Sequence, residues 1–193
     1  MVSCEAQQIR WDGADLSGLN LAAWNSSDWN ETMSESLRGD ARFMQMAIEL
    51  ATTNVLSGAG GPFGAVIVKD GVAIATGANS VVATNDPTAH AEVMAIRNAC
   101  RELGTFELRG CEIYSSCEPC PMCLTAILWA RCEALYFAST AQDAADAGFD
   151  DSHFYDQIRK PFGARELPSA NLMRERGLES FNAWREFAGR IVY

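Results

Sequence analysis

The sequence predicts a layered α/β domain behind a short acidic extension. Three observations carry this. Long stretches with apolar residues at helical spacing alternate with short apolar runs of strand type. Asp70-Gly71 sits between two such short runs, a strong hairpin signal. A length of 193 residues suits one domain with an extension and can bury a sizeable core without staples.

Each element can be justified in order. Residues 1–36 carry Glu5, Asp12, Asp15, Asp28, Glu31 and Glu35 against Arg10 alone. Helical periodicity is weak there, and Trp11, Trp24 and Trp29 predict a loosely structured arm packing through those rings, with low-complexity disorder as the alternative. The domain is expected over residues 37–193. A helix starts near Leu37, with Met44, Ala47, Ile48, Ala51 and Val55 on its apolar face. The glycine-rich run 57–64, with Pro62, ends it. Residues 65–68 and 72–75 are the two hairpin strands, and 79–88 is a polar connection. Residues 90–103 read as a helix with Val93, Ile96, Cys100 and Leu103 on one side. A strand follows at 111–114. Residues 120–130 form a helix that is apolar nearly all round and therefore expected to be buried. Residues 134–138 are a further strand. Short helices are expected at 141–147 and 151–159, and a last helix at 179–187. There is no internal repeat.

Composition narrows the function. No apolar run approaches the roughly 20 residues that span a bilayer. The first 20 residues have neither the basic start nor the apolar centre of a secretory signal, and their acidity disfavours mitochondrial targeting, so a cytoplasmic protein is expected. The formal net charge is −10. Proteins that track nucleic acid usually need a basic face, so this balance favours a small-molecule substrate, without nucleic acid or membrane as partner. Acidity also simply aids solubility. Seven cysteines without a signal sequence do not read as a disulfide framework, and three of them (Cys117, Cys120 and Cys123) fall within seven residues.

Two clusters carry the chemistry: Thr88-Ala89-His90-Ala91-Glu92 and Cys117-Glu118-Pro119-Cys120-Pro121-Met122-Cys123. Each lies at an expected helix start. Cys120 and Cys123 are three apart and share a helix face. Helix N-termini favour thiolates. Two thiolates and one imidazole suit zinc, and three protein ligands leave a fourth position for water, as in catalytic sites. Two thiolates weaken the acidification of that water, so a nearby base matters, and Glu92 stands two residues after His90. Taken singly, each feature has a plainer reading. A lone C-x-x-C is often structural or redox-active, a lone histidine belongs to the core, and a lone glutamate to a solvated face. Cys117 adds a C-x-x-C-x-x-C run of iron–sulfur type, but Cys132, nine residues beyond Cys123, does not fit as a fourth ligand. Together the clusters match H-x-E followed by P-C-x-x-C, the zinc deaminase signature, with His90, Cys120 and Cys123 as ligands and Glu92 as the proton carrier.

On these motifs the chain resembles the cytidine-deaminase-like superfamily and, within it, bacterial guanine deaminases. The resemblance also rests on Gly60-Gly61-Pro62-Phe63-Gly64-Ala65-Val66-Ile67-Val68, on Asn85-Asp86-Pro87 before the first cluster, on Gly148-Phe149-Asp150-Asp151-Ser152, and on Phe181-Asn182-Ala183-Trp184-Arg185-Glu186-Phe187. It runs from about Leu37 to Tyr193; the extension lies outside it. The zinc motifs alone specify only the superfamily, and the Asp-Pro-Thr-Ala-His-Ala-Glu stretch also resembles tRNA adenosine deaminases.

The resemblance implies a three-layer α/β/α cytidine-deaminase-like fold with a central mixed sheet and one zinc ion per chain. It also implies a homodimer with exchanged C-terminal segments, in which Tyr193 helps close the partner's site. The implied reaction is hydrolysis of guanine to xanthine and ammonia. Asn79 and the backbone N–H of Ala91 are expected at the purine's polar edge, Phe63 and Trp129 against its face, and Asp151 at a ring N–H. Plainer readings stand beside these. Phe63 and Trp129 fit a core, Asp151 fits a helix cap, Asn79 fits a strand-end turn, and Tyr193 fits a frayed terminus. Alternative substrates are guanosine, cytosine or tRNA adenosine, and a non-catalytic zinc-binding partner protein is the alternative of another class. His153 reads as a surface residue.

Overall fold

The computed structural model describes residues Gly39–Tyr193. The acidic arm and its tryptophans lie outside the described residues.

Helix α1 spans Ala41–Leu56, and Asp40 caps it by accepting a hydrogen bond from the Arg42 N–H at 2.9 Å. Its start is tied to the sheet, because the Asp40 N–H donates to the Tyr114 hydroxyl at 3.0 Å. The buried face is Phe43, Ala47, Ala51 and Asn54. The face expected from periodicity is therefore rotated: Ile48 and Val55 point outward. The cause is close approach to the sheet. A Cβ at Gly64 would run into the helix backbone at Ala47 and Ala51, so small residues occupy that line of contact.

Strands β1 (Gly64–Lys69) and β2 (Val72–Ala78) form the expected hairpin. Asp70 and Gly71 both have positive φ, 50° and 73°, as a two-residue type I′ turn requires. The register shifts between Ile67 and Val68, which leaves Ile74 as the extra residue of a bulge. One short turn of helix, α2 (Val81–Thr84), lies inside the stretch expected to be a plain connection.

Helix α3 (Ala91–Leu103) has His90 at its N-cap and Gly104, with φ 64°, at its C-cap. Its innermost residues are Ala91, Glu92, Ala95 and Ala99, while Ile96, Cys100 and Leu103 pack around them. Alanine lies deepest because Gly77 of β2 meets the helix backbone at Ala91 and Ala95, where no β-carbon fits. Strand β3 (Cys111–Cys117), helix α4 (Pro121–Ala130) and strand β4 (Ala134–Ser139) make a crossover between parallel strands.

The sheet order is β2-β1-β3-β4, with β1 antiparallel to both β2 and β3 and β3 parallel to β4. Alternation sorts its side chains. Ala65, Ile67 and Ile113 form one core with α3 and α4, while Val66, Val68 and Tyr114 form the other with α1. The domain is thus the three-layer α/β/α arrangement around a mixed sheet that the sequence led us to expect.

Helix α4 is not buried all round: Leu128 and Trp129 are 58% and 62% exposed. Uniform apolarity gives a helix no preferred face, and only the sheet decides which side is covered. Beyond β4 lie α5 (Ala141–Asp146), closed by a capping box between Thr140 and Asp143, and α6 (Ser152–Arg159). A short 3₁₀ turn (Phe162–Ala164) follows. Helix α7 (Arg174–Glu186) begins five residues before the expected position and buries none of its side chains. No helix among the described residues is long and apolar enough to cross a membrane.

Candidate active site

The starts of α3 and α4 converge. The loop before α3 is held by Asp86, whose carboxylate accepts from the backbone N–H and the hydroxyl of Thr88 at 2.8 and 2.7 Å. It is tied to the end of β2 by the Ser80 N–H donating to the Ala89 carbonyl at 2.9 Å. His90 therefore enters as the N-cap of α3. On the other side Cys120 is the N-cap of α4, with Pro121 at the first helical position and Cys123 one turn in.

His90 Nδ1 lies 3.6 Å from Cys120 Sγ and 3.5 Å from Cys123 Sγ, and the ligand atoms of all three lie within 4.8 Å of one another. Zinc bonds of about 2.3 Å to sulfur and about 2.0–2.1 Å to nitrogen, at a tetrahedral angle, place sulfur and nitrogen about 3.6 Å apart. The donor set and its spacing therefore fit zinc without rearrangement. Cys120 is the acidic thiol of the pair. A hydrogen bond from Cys123 and another with His90 hold it down to about 4, against the effect of burial. The same contact with Cys120, together with burial, pushes the Cys123 thiol up. The hydrogen bond to Cys120 raises the His90 imidazole, again against burial.

Glu92 sits in the first turn of α3 at 5% exposure. Burial pushes its carboxyl above the ordinary carboxylate range. Its Oε1 accepts a hydrogen bond from the Ser115 hydroxyl at 3.1 Å.

These groups open into a cavity of about 830 Å³. Phe63, Asn79, His90, Glu92, Cys120 and Asp151 all line it. Phe63 is half-buried and meets Phe149, also on the wall, edge to face, with ring centroids 5.1 Å apart and planes at 87°. Asp151 occupies the N-cap position of α6, yet its side chain makes no capping hydrogen bond; Asp150 accepts from the Ser152 N–H instead. Burial, then the charge of Cys120, raises the Asp151 carboxyl. Ala91 is fully buried, and its N–H belongs to the first turn of α3, where N–H groups lack intrahelical acceptors.

Trp129 and Tyr193 are not on the wall of this cavity. Trp129 lies at the far end of α4 from the ligands, and the Tyr193 ring is 6.2 Å from it and 6.2 Å from Phe106. His153 is at the surface, 3.3 Å from Glu166. Sequence reasoning missed Ser115, Phe149 and Glu118. Ser115 had a signal, since it is a polar residue two positions after Ile113 on the core-facing side of β3. Phe149 stood inside a motif already singled out.

Two helix starts thus bring together one imidazole and two thiols, a donor set that suits zinc, with a buried carboxylate beside them. Residues 37–139 match the family model of the cytidine and deoxycytidylate deaminase zinc-binding region, and the chain belongs to that family. The guanine deaminase of Bacillus subtilis is 54% identical over 151 residues, 78% of this chain and 97% of that protein. Its crystal structure superposes with a TM-score of 0.78, covering 81% of this chain and 99% of that one. A guanine deaminase structure from Nitrosomonas europaea gives 0.56 at 31% identity over 75% of this chain and 74% of that one. A further neighbour solved in complex with 8-azaguanine gives 0.54 at 31% identity, covering 72% of this chain and 70% of that one. The tRNA-specific adenosine deaminase of Aquifex aeolicus is 50% identical, but over 78 residues, 40% of this chain and 52% of that protein.

Proposed function

We propose that this enzyme hydrolyses guanine to xanthine and ammonia, with one zinc ion per chain held by His90, Cys120 and Cys123. The observation that carries the substrate is the similarity to the Bacillus subtilis guanine deaminase, which extends over nearly the whole of that protein. The cavity agrees with a neutral base. Glu92, Glu118, Asp150 and Asp151 line it, and among the described residues no lysine or arginine does. Such a wall disfavours phosphate, and with it nucleotides and tRNA.

Zinc held by His90, Cys120 and Cys123 would lower the pKa of a water and so provide the attacking hydroxide and one proton. Glu92 takes that proton on its carboxylate as C2 of guanine is attacked and delivers it to the adjacent ring nitrogen. Glu92 then takes the second proton from the new C2 hydroxyl and passes it to the amino group, and ammonia leaves as the C2–N bond breaks and the C2 carbonyl forms. A carboxyl raised by burial suits both halves of this transfer. The Asn79 amide and the Ala91 N–H hydrogen-bond the purine edge, Phe63 packs on its face, and the uncapped Asp151 carboxylate accepts from a ring N–H.

A second copy of the chain completes the site. Helix α7 buries nothing on its own subunit, and Phe181, Trp184 and Phe187 are exposed along it. Tyr193 packs against Trp129 and Phe106 instead of lining its own cavity. An exchanged segment that brings Tyr193 to the partner's cavity accounts for both, and gives Trp129 its role at the subunit contact rather than against the base.

The test is ammonia release from zinc-loaded protein offered guanine, guanosine, cytosine, cytidine and adenine in parallel. Rapid release from guanine alone, with xanthine formed, supports the proposal. Release from another compound keeps the chemistry and overturns the substrate.

A further inference from the structure

We infer that Asn54, on α1 and outside every zinc-deaminase motif, is the positioning residue that holds Asn79 and Gly61 in place on the cavity wall; its bearing on catalysis rests on the reading of Asn79 as a purine contact. Asn54 is 8% exposed, and its Nδ2 donates twice, to the Gly61 carbonyl at 2.9 Å and to the Asn79 carbonyl at 2.8 Å. These carbonyls belong to two neighbouring segments at the open end of the β1–β2 hairpin, the glycine-rich loop before β1 and the residue after β2, and both Gly61 and Asn79 line the cavity. The Asn54 main chain joins in, its carbonyl accepting from the Ala59 and Gly60 N–H groups at 3.0 and 3.4 Å. Gly60 leaves no space beside it, since a β-carbon there would press on the Asn79 carbonyl and Asn54 Nδ2.

Asn79 is thereby gripped on both sides of its backbone. Its N–H donates to the Phe63 carbonyl at 3.0 Å, and its own carbonyl receives Asn54. The side chain on this fixed backbone lines the cavity, its Oδ1 accepting from the Val81 N–H at 3.4 Å, and Asn79 is only 8% exposed. Phe63 belongs to the same frame, because its N–H donates to the Gly61 carbonyl at 2.9 Å. One amide on α1 thus sets the relative position of the polar contact and the aromatic contact. An asparagine can do this because it alone among residues of its size presents two N–H donors from one nitrogen. Without it, the buried Asn79 carbonyl loses its donor and the part-buried Gly61 carbonyl keeps only the Phe63 N–H, so the loop relaxes to find water.

The test compares Asn54→Ala and the isosteric Asn54→Asp, which also lacks the donors, with the parent enzyme, all zinc-loaded. Expected for both is a KM for guanine raised about tenfold, kcat within about twofold, and unchanged zinc content. Amide hydrogen exchange without substrate should quicken about tenfold or more at Phe63 and Asn79 and stay constant in α3. A fold that merely weakens would lower the active fraction and so kcat, with KM unmoved, and that result overturns the inference. If the parent itself fails on guanine, the proposed substrate falls, and exchange decides alone: faster exchange at Asn79 supports the inference and unchanged protection overturns it.

Discussion

The Ser115 hydroxyl donates to Glu92 Oε1 at 3.1 Å, and both side chains are buried. The bond crosses from β3 to the first turn of α3 and points the carboxylate along one direction. Hydrogen bonds to charged groups contribute about 1.5–3 kcal/mol. Ser115→Ala is expected to lower kcat by roughly tenfold or more while zinc content stays at the parent level. Parallel steady-state kinetics and metal analysis check this. An unchanged kcat would show that Glu92 needs no such support.

Glu92→Gln keeps the shape of the side chain and removes its capacity to carry a proton. Turnover is expected to fall by about 10²–10⁴-fold. Zinc should remain bound, because Glu92 is not among the grouped ligands. Near-normal turnover in a zinc-loaded variant would remove Glu92 from the mechanism.

Gly77→Ala tests the packing that brings α3 to the sheet. The added methyl meets the α3 backbone at Ala91 and Ala95, which is rigid and cannot turn aside. Overpacking of this kind costs about 1–3 kcal/mol, and thermal unfolding of a chain this size should fall by roughly 2–12 °C. His90 and Glu92 ride on the same helix end, so zinc affinity is expected to drop with it. A variant as stable as the parent would mean that α3 stands further from β2 than described.

Removal of residues 191–193 addresses the exchanged segment. Activity is expected to fall by about tenfold or more, as when a closing element is lost. Thermal unfolding should move by less than about 2 °C, because residues 191–193 belong to neither core cluster of the domain. Unchanged kinetics would argue against Tyr193 as a closing residue.

The fold class was legible in the alternation of helix and strand signals, and each half of the candidate ligand set was legible because it is local, whereas the meeting of His90 with Cys120, 30 residues apart, was expected only from the combined motif. His90 and Glu92 are two residues apart at a helix start, and Cys120 and Cys123 share a face within one turn, so spacing alone brings each pair together. Alternating strand and helix signals, with Asp70-Gly71 between two strands, set the layered architecture. What spacing cannot reach is any contact that depends on sheet order. Ser115 and Glu92 lie 23 residues apart, and Asn54 and Asn79 lie 25 apart. Ser115 and Glu92 meet because β3 lies beside β1 under α3, and Asn54 and Asn79 meet because α1 packs on the β1–β2 hairpin. Trp129 shows the same limit from the other side. On a helix apolar nearly all round, no periodicity tells which residues face the sheet, so the ring expected against the base lies instead beside Tyr193. Local chemistry is written in neighbouring residues, whereas the cavity wall is an intersection of separate segments, and only the packed sheet and its helices determine where those segments cross.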